Sequence, residues 1–139
     1  MCIRDSLRLG LLIGIKETIR ELDKLRLPYN INVLTQASAN FLLKEKDHIV
    51  ANAKLIIDER QRLFDELSIM PSLKVFPSQA NFLLIKVNDA KSLFEFLKVN
   101  GILVKIFAMN TQLSHCIRVT VSNPSENNEF LKQIKSYYG

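Results

Sequence analysis

Thiols are scarce in this chain: of 139 residues, only Cys2 and Cys116 are cysteines. Two distant cysteines make no disulfide framework, and no Cys-x-x-Cys pair is present for a redox or thiolate metal site. Histidine is just as sparse. His48 and His115 lack the spacing of metal ligands, so no zinc centre is expected. Four glycines do not form a loop that could cradle phosphate through backbone N–H groups; Gly10 and Gly14 read as close-packing positions. No apolar run approaches the roughly 18 residues that a membrane span needs. The Leu7–Ile15 run is too short, and it makes no convincing secretory signal. These absences lead to the expectation of a soluble, cytoplasmic protein with no membrane partner.

Charge of one sign is never concentrated either. The net charge is +5, from 19 basic and 14 acidic residues. The basic residues alternate with acids, as in Lys44-Glu45-Lys46-Asp47 and Asp58-Glu59-Arg60. Such interleaving describes a mixed, solvated surface better than a nucleic-acid footprint, so no nucleic-acid partner is expected. What the chain has in quantity is apolar residue, 47% of the total, enough for a packed core.

Along the chain, Met1–Ser6 fits nothing that follows. Leu7–Gly14 reads as a strand buried on both sides. Such a strand needs neighbours that six preceding residues cannot supply, so the chain is expected to start inside a sheet. Helices are predicted over Ile15–Leu25, with Ile15, Ile19 and Leu22 on one face, and over Ile31–Leu43, built on Leu34, Ala37, Ser38 and Phe41. A long helix is predicted from an Asp47 N-cap to Leu67, with Ile49, Ala53, Ile56, Arg60, Leu63 and Leu67 recurring at helical spacing. Pro71 and Ser72 mark a break. Beyond it the order is β-β-α-β-β-α: strands Leu73–Phe76 and Asn81–Val87, helix Ala90–Val99 stopped by Asn100-Gly101, strands Ile102–Ile106 and Ile117–Val121, and a last helix. That helix has Asn123 as N-cap, Pro124 at its first position and Glu126 completing a box-like start. Its buried side is Phe130, Leu131 and Ile134. The fold class is α/β.

Alternation within the strands singles out two cations. Ile117, Val119 and Val121 face one way and Arg118 and Thr120 the other; Ile102, Val104 and Ile106 face one way and Leu103 and Lys105 the other. If these strands pair, Arg118 and Lys105 stand on one face. That face could be solvated, could pair with carboxylates, or could bind an anion, for which the planar fork of arginine is suited. Arg8, inside an apolar stretch, must likewise be paired or reach an anion. Asn81 and Tyr29-Asn30 read first as turn residues. Ser114-His115-Cys116 reads as a turn, not as a nucleophile and its base.

Several segments, in order, resemble one family. Leu7-Arg8-Leu9-Gly10 is similar to the segment that follows the cofactor lysine in fold-type-I aminotransferases. Pro28-Tyr29-Asn30-Ile31-Asn32, Pro77-Ser78-Gln79-Ala80-Asn81-Phe82, Gly101-Ile102-Leu103-Val104-Lys105 and Ile117-Arg118-Val119-Thr120-Val121 resemble segments of histidinol-phosphate aminotransferases. The resemblance runs from Leu7 nearly to the end.

It implies the C-terminal part of a fold-type-I transferase dependent on pyridoxal 5'-phosphate. Residues 1–6 would be a leader foreign to the family, 7–46 a remnant of the large domain, 47–70 a bridging helix and 71–139 the small domain. The implied reaction moves an amino group from glutamate to imidazole-acetol phosphate, giving histidinol phosphate and 2-oxoglutarate, in histidine biosynthesis. A sister such as threonine-phosphate decarboxylase, another class I/II aminotransferase, or a non-catalytic anion-binding lobe would use much the same segments. By the likeness, Arg8 holds the cofactor phosphate. Arg118 holds the anionic group of small-molecule substrates, Lys105 stands where the family has a second substrate arginine, and Asn81, Tyr29 and Asn30 lie near the site. The intact protein would be a homodimer. The family's cofactor lysine has no counterpart in Met1–Ser6. No catalytic residue is therefore assigned, and the chain is expected to be a truncated piece, inactive alone and with exposed apolar surface.

Overall fold

A computed structural model describes residues 9–10, 12–27, 30–108 and 110–139. The chain divides into two compact units, Met1–Val50 and Ala51–Gly139.

In the first unit, α1 spans Lys16–Asp23 and α2 spans Val33–Lys44. The Asn32 side chain caps α2 by accepting from the Thr35 N–H at 2.8 Å. The strand expected over Leu7–Gly14 is not formed in its described part. Residues 9–10 and 12–14 carry no regular structure, and Ile13 is 92% exposed. A strand needs a partner for its backbone N–H and C=O groups, and among the described residues this unit contains no other strand. Leu7, Arg8 and Leu11 of that stretch lie outside the described residues, as does the proposed leader. The two helices form where periodicity puts them, but most of their apolar stripes stay bare: Ile15, Leu22, Leu34 and Phe41 are exposed, Ile19 and Ser38 are half-buried, and Thr35 is the one buried residue described in the unit. The face on which α2 was expected to pack is therefore largely an outward one.

The long helix α3 spans Lys46–Ser68. It follows α2 after the single residue Glu45, whose carbonyl accepts from the His48 and Ile49 N–H groups. Asp47 thus lies within the first turn and is not the N-cap; its carboxylate there complements the helix dipole.

In the second unit, β1 (Lys74–Phe76), β2 (Phe82–Lys86), β3 (Lys105–Ile106) and β4 (Cys116–Thr120) form one sheet in the order β1-β2-β4-β3, antiparallel at every step. Helices α4 (Ala90–Val99) and α5 (Pro124–Tyr138) complete the β-β-α-β-β-α order. Leu83, Ile85, Ile117 and Val119 alternate inward and meet Leu63 and Leu67 of α3, Leu93 and Leu97 of α4, and Phe130 and Ile134 of α5 in one core. Each such side chain, fully buried, contributes about 1.5–3 kcal/mol.

β3 is shorter than Ile102–Ile106, and at the expected start the end of α4 takes the Ile102 donor. The Gly101 N–H bonds the Lys98 carbonyl and the Ile102 N–H bonds the Leu97 carbonyl, the double closure of a Schellman motif. Gly101 supplies the required left-handed backbone, φ 80°. At α5 the start is as expected: Asn123 accepts from the Glu126 N–H at 3.0 Å, Pro124 opens the helix, and the Ser122 hydroxyl bonds the Glu126 carboxylate.

Glu59 corrects the reading of Asp58-Glu59-Arg60 as solvated charge. It is buried, held by Arg62 Nε at 2.8 Å and Nη2 at 2.7 Å, and it accepts from Asn127 Nδ2 at 2.8 Å. Asn127 in turn holds the Ser122 backbone in both directions, at 2.8 and 3.0 Å. Arg62 and Lys135 both bond Glu66 at 2.9 Å. This network ties α3 to the start of α5. The hydrogen bond from Arg62 holds the Glu59 carboxyl below its ordinary range against the opposing effect of burial, with Asn127 assisting. Glu66 is lowered likewise, first by Lys135 and then by Arg62.

Both carboxyls bind protons less readily folded than unfolded. Their stabilisation is present above the ordinary carboxylate pKa and is lost as pH falls through the lowered folded values. Thermal melts of the chain should show a midpoint that declines as pH drops below about 4.3, with a shallower decline in Glu59→Gln. At neutral pH Glu59→Gln should cost about 1–3 kcal/mol by denaturant titration.

Candidate anion-binding face

The sheet has one face against the helices and one without them. Ile117 and Val119 occupy the first, so period two turns Arg118 and Thr120 to the second; both are exposed. Register then brings the cations together. Lys105 is the direct cross-strand partner of Arg118 across β3–β4, and Leu84 is its partner across β2–β4. One row therefore runs Phe76, Leu84, Arg118, Lys105 across all four strands. Like charges directly opposite one another are destabilising, and among the described residues no carboxylate is paired with either cation. What holds Arg118 is aromatic. Its guanidinium carbon lies 5.2 Å from the centroid of the Phe82 ring, a cation–π contact that leaves the N–H donors of the fork free for an oxyanion.

Asn81 is exposed and stands just before β2. Its carbonyl accepts from the Val121 N–H at 2.9 Å, which closes the β2–β4 ladder beyond its last paired row. Asn30 belongs to the first unit, where it accepts from Arg26 Nη1 at 3.4 Å. Arg8 and Tyr29 lie outside the described residues. Ser114-His115-Cys116 is the turn that enters β4, and Cys116 is buried and free.

Two contributors were not singled out from the sequence. Phe82 was legible, since Leu83 and Ile85 as inward residues put Phe82 on the face of Arg118. Arg60 is a cation on the core-facing stripe of α3, and its Nη1 donates to the Ala80 carbonyl at 2.8 Å. It lines a small pocket of about 80 Å³ with Gln61, Phe64, Pro77, Ser78 and Leu83.

The described residues do not fit a pyridoxal phosphate group. Every described lysine is exposed, and the pocket beside Arg60 is far too small. Among the described residues there is no cluster of three or more metal-ligating side chains and no helix long and apolar enough to cross a membrane.

Comparison with known proteins agrees with the sheet and its segments. Residues 6–134 match the family "Aminotransferase class I and II". The histidinol-phosphate aminotransferase of Vesicomyosocius okutanii is 51% identical over 133 residues, which are 96% of this chain and 38% of that protein. The crystal structure of the histidinol-phosphate aminotransferase from Clostridium acetobutylicum superposes with a TM-score of 0.74 at 25% identity, covering 88% of this chain and 38% of that one. That from Sinorhizobium meliloti, solved in complex with pyridoxal-5'-phosphate, superposes with a TM-score of 0.65 at 21% identity, covering 87% and 35%. The chain thus spans little more than a third of the length of these relatives. Its fold is that of a C-terminal portion of a fold-type-I aminotransferase, and the chain belongs to the aminotransferase class I and II family.

Proposed function

We propose that these residues are the substrate-anion half of a pyridoxal-phosphate-dependent histidinol-phosphate aminotransferase. The observation that carries the reading is the Arg118–Lys105 pair: two cations side by side on the open sheet face, with Phe82 behind the arginine and no described carboxylate in front. The identity of 51% to a histidinol-phosphate aminotransferase supports the substrate class. Glutamate would present a carboxylate and imidazole-acetol phosphate a phosphate. The fork of Arg118 can take either oxyanion with two parallel hydrogen bonds, and Lys105 adds a mobile point charge that accommodates their different sizes. Asn81, Tyr29 and Asn30 are proposed to line the same site. In the longer protein Arg8 would hold the cofactor phosphate, and the cofactor would supply the electron sink for amino transfer.

We divide the chain, on the same reading, into a large-domain remnant over residues 7–46, a bridging helix over 47–70 and a small domain over 71–139. A cytoplasmic homodimer suits the longer protein, and the bare apolar side chains of α1 and α2 suit a covering surface within it.

In the longer enzyme Arg118→Ala should lower kcat/KM about 10- to 100-fold for both substrates, the worth of hydrogen bonds to a charged group. Arg118→Lys should fall between, since it keeps the charge and loses the fork. An unchanged kcat/KM in steady-state assays would make the arginine structural. Preference for threonine phosphate over histidinol phosphate would move the enzyme to the decarboxylase reading.

The chain of residues 1–139 has no lysine before Lys16, and its described lysines are all exposed. Mixed with an equimolar amount of pyridoxal phosphate, it should form no stoichiometric aldimine at a single lysine. A stoichiometric adduct at one lysine after borohydride reduction would contradict this.

A further inference from the structure

We infer that Arg60 is a positioning residue for the anion site, acting through the backbone of the Pro77–Asn81 turn to set the Phe82 ring beneath Arg118. The inference rests on the anion-binding reading of Arg118 for its consequence, but its geometry stands apart from it.

Arg60 occupies the stripe of α3 that also carries Ile56, Leu63 and Leu67, where periodicity calls for an apolar side chain. A half-buried guanidinium in that place needs acceptors. It finds one twenty residues away, donating from Nη1 to the Ala80 carbonyl at 2.8 Å. The same turn is braced from inside, the Ala80 N–H donating to the Ser78 hydroxyl at 3.1 Å. The next residue, Asn81, gives its carbonyl to the Val121 N–H. After it comes Phe82, paired with Thr120 and stacked on Arg118. Arg60, the turn, the first residue of β2 and the Arg118 fork therefore form one continuous line of contacts. Phe64 and Leu83 line the same small pocket as Arg60, Pro77 and Ser78. Without the hydrogen bond the turn loses its tie to α3, and Asn81 and Phe82, then held from the β4 side alone, can shift the ring. An arginine fork bound loosely over its ring must be ordered when an anion arrives, which weakens binding.

The test uses the full 139-residue chain and two readouts. The first is the proton chemical shift of the Arg118 δ-methylene, which the Phe82 ring should move upfield of the other arginines; Phe82→Leu should abolish that displacement and so assign it. In Arg60→Met, which keeps the aliphatic stem, the shift should collapse toward the value in Phe82→Leu, while α4 amide resonances stay in place. Arg60→Lys, whose ammonium can still donate to Ala80, should restore most of it. Should Arg60→Met not fold, Arg60→Gln replaces it, with the same collapse expected because its amide is too short to reach the turn. An Arg118 shift that survives in Arg60→Met or Arg60→Gln overturns the positioning role, whatever the melting temperature does. The second readout is titration with inorganic phosphate. Binding should weaken about two- to fivefold in Arg60→Met, the value of an exposed cation–π contact. Phosphate that fails to bind the wild-type chain, or binds Arg118→Ala equally, overturns the anion reading and leaves the ring-current result to decide Arg60.

Discussion

The pairing of β2 with β4 is the constraint on which the second unit depends. These are the two central strands, and their register sets Leu83 opposite Val119, Leu84 opposite Arg118 and Ile85 opposite Ile117. A slip of one residue would turn the arginine into the core and the isoleucine and valine out. The pairing is closed at both ends by backbone hydrogen bonds outside the ladder, Val121 to Asn81 and Val87 to His115. Core and candidate site are thus two faces of one register. The residues that bury β4 against the helices also decide which side chains it shows to a ligand.

Polar contacts along α3 then hold this sheet in two places. At Glu59 the helix holds Asn127, and through it the Ser122 backbone just after β4. At Arg60 it reaches the turn just before β2. Adjacent residues of one helix therefore brace the two strands at their common end. Apolar packing of Leu63 and Leu67 supplies the burial energy but little direction. The charged groups supply direction, since a buried carboxylate or half-buried guanidinium is costly unless its partners sit at the right place.

The first unit behaves differently for the same physical reasons. Its helices form, α2 with its Asn32 cap, but most of the apolar side chains on their stripes are exposed. Helix formation is local, whereas burial needs a facing surface. The relatives, of which this chain spans little more than a third, carry a great deal of chain that has no counterpart in these 139 residues. The resemblance read from Leu7 onward and the family match over residues 6–134 agree on where the shared sequence lies.

Features that depend on near neighbours along the chain were legible before the fold was known. The stop of α4 and the start of α5 were legible in Gly101, Asn123 and Pro124 because caps act within a turn, whereas the Asp89 cap of α4 emerged only with the structure. The face of Arg118 was legible because strand period is two, and Phe82 could have been read from the same rule. Tertiary structure alone decided what depends on distant segments meeting. It paired Lys105 with Arg118, buried Glu59 against a residue 68 positions away, and aimed Arg60 at a carbonyl 20 positions away. It also left the expected strand over Leu7–Gly14 without a sheet in its described part. Local pattern says which way a side chain leaves its own backbone; only the fold says what stands there to receive it.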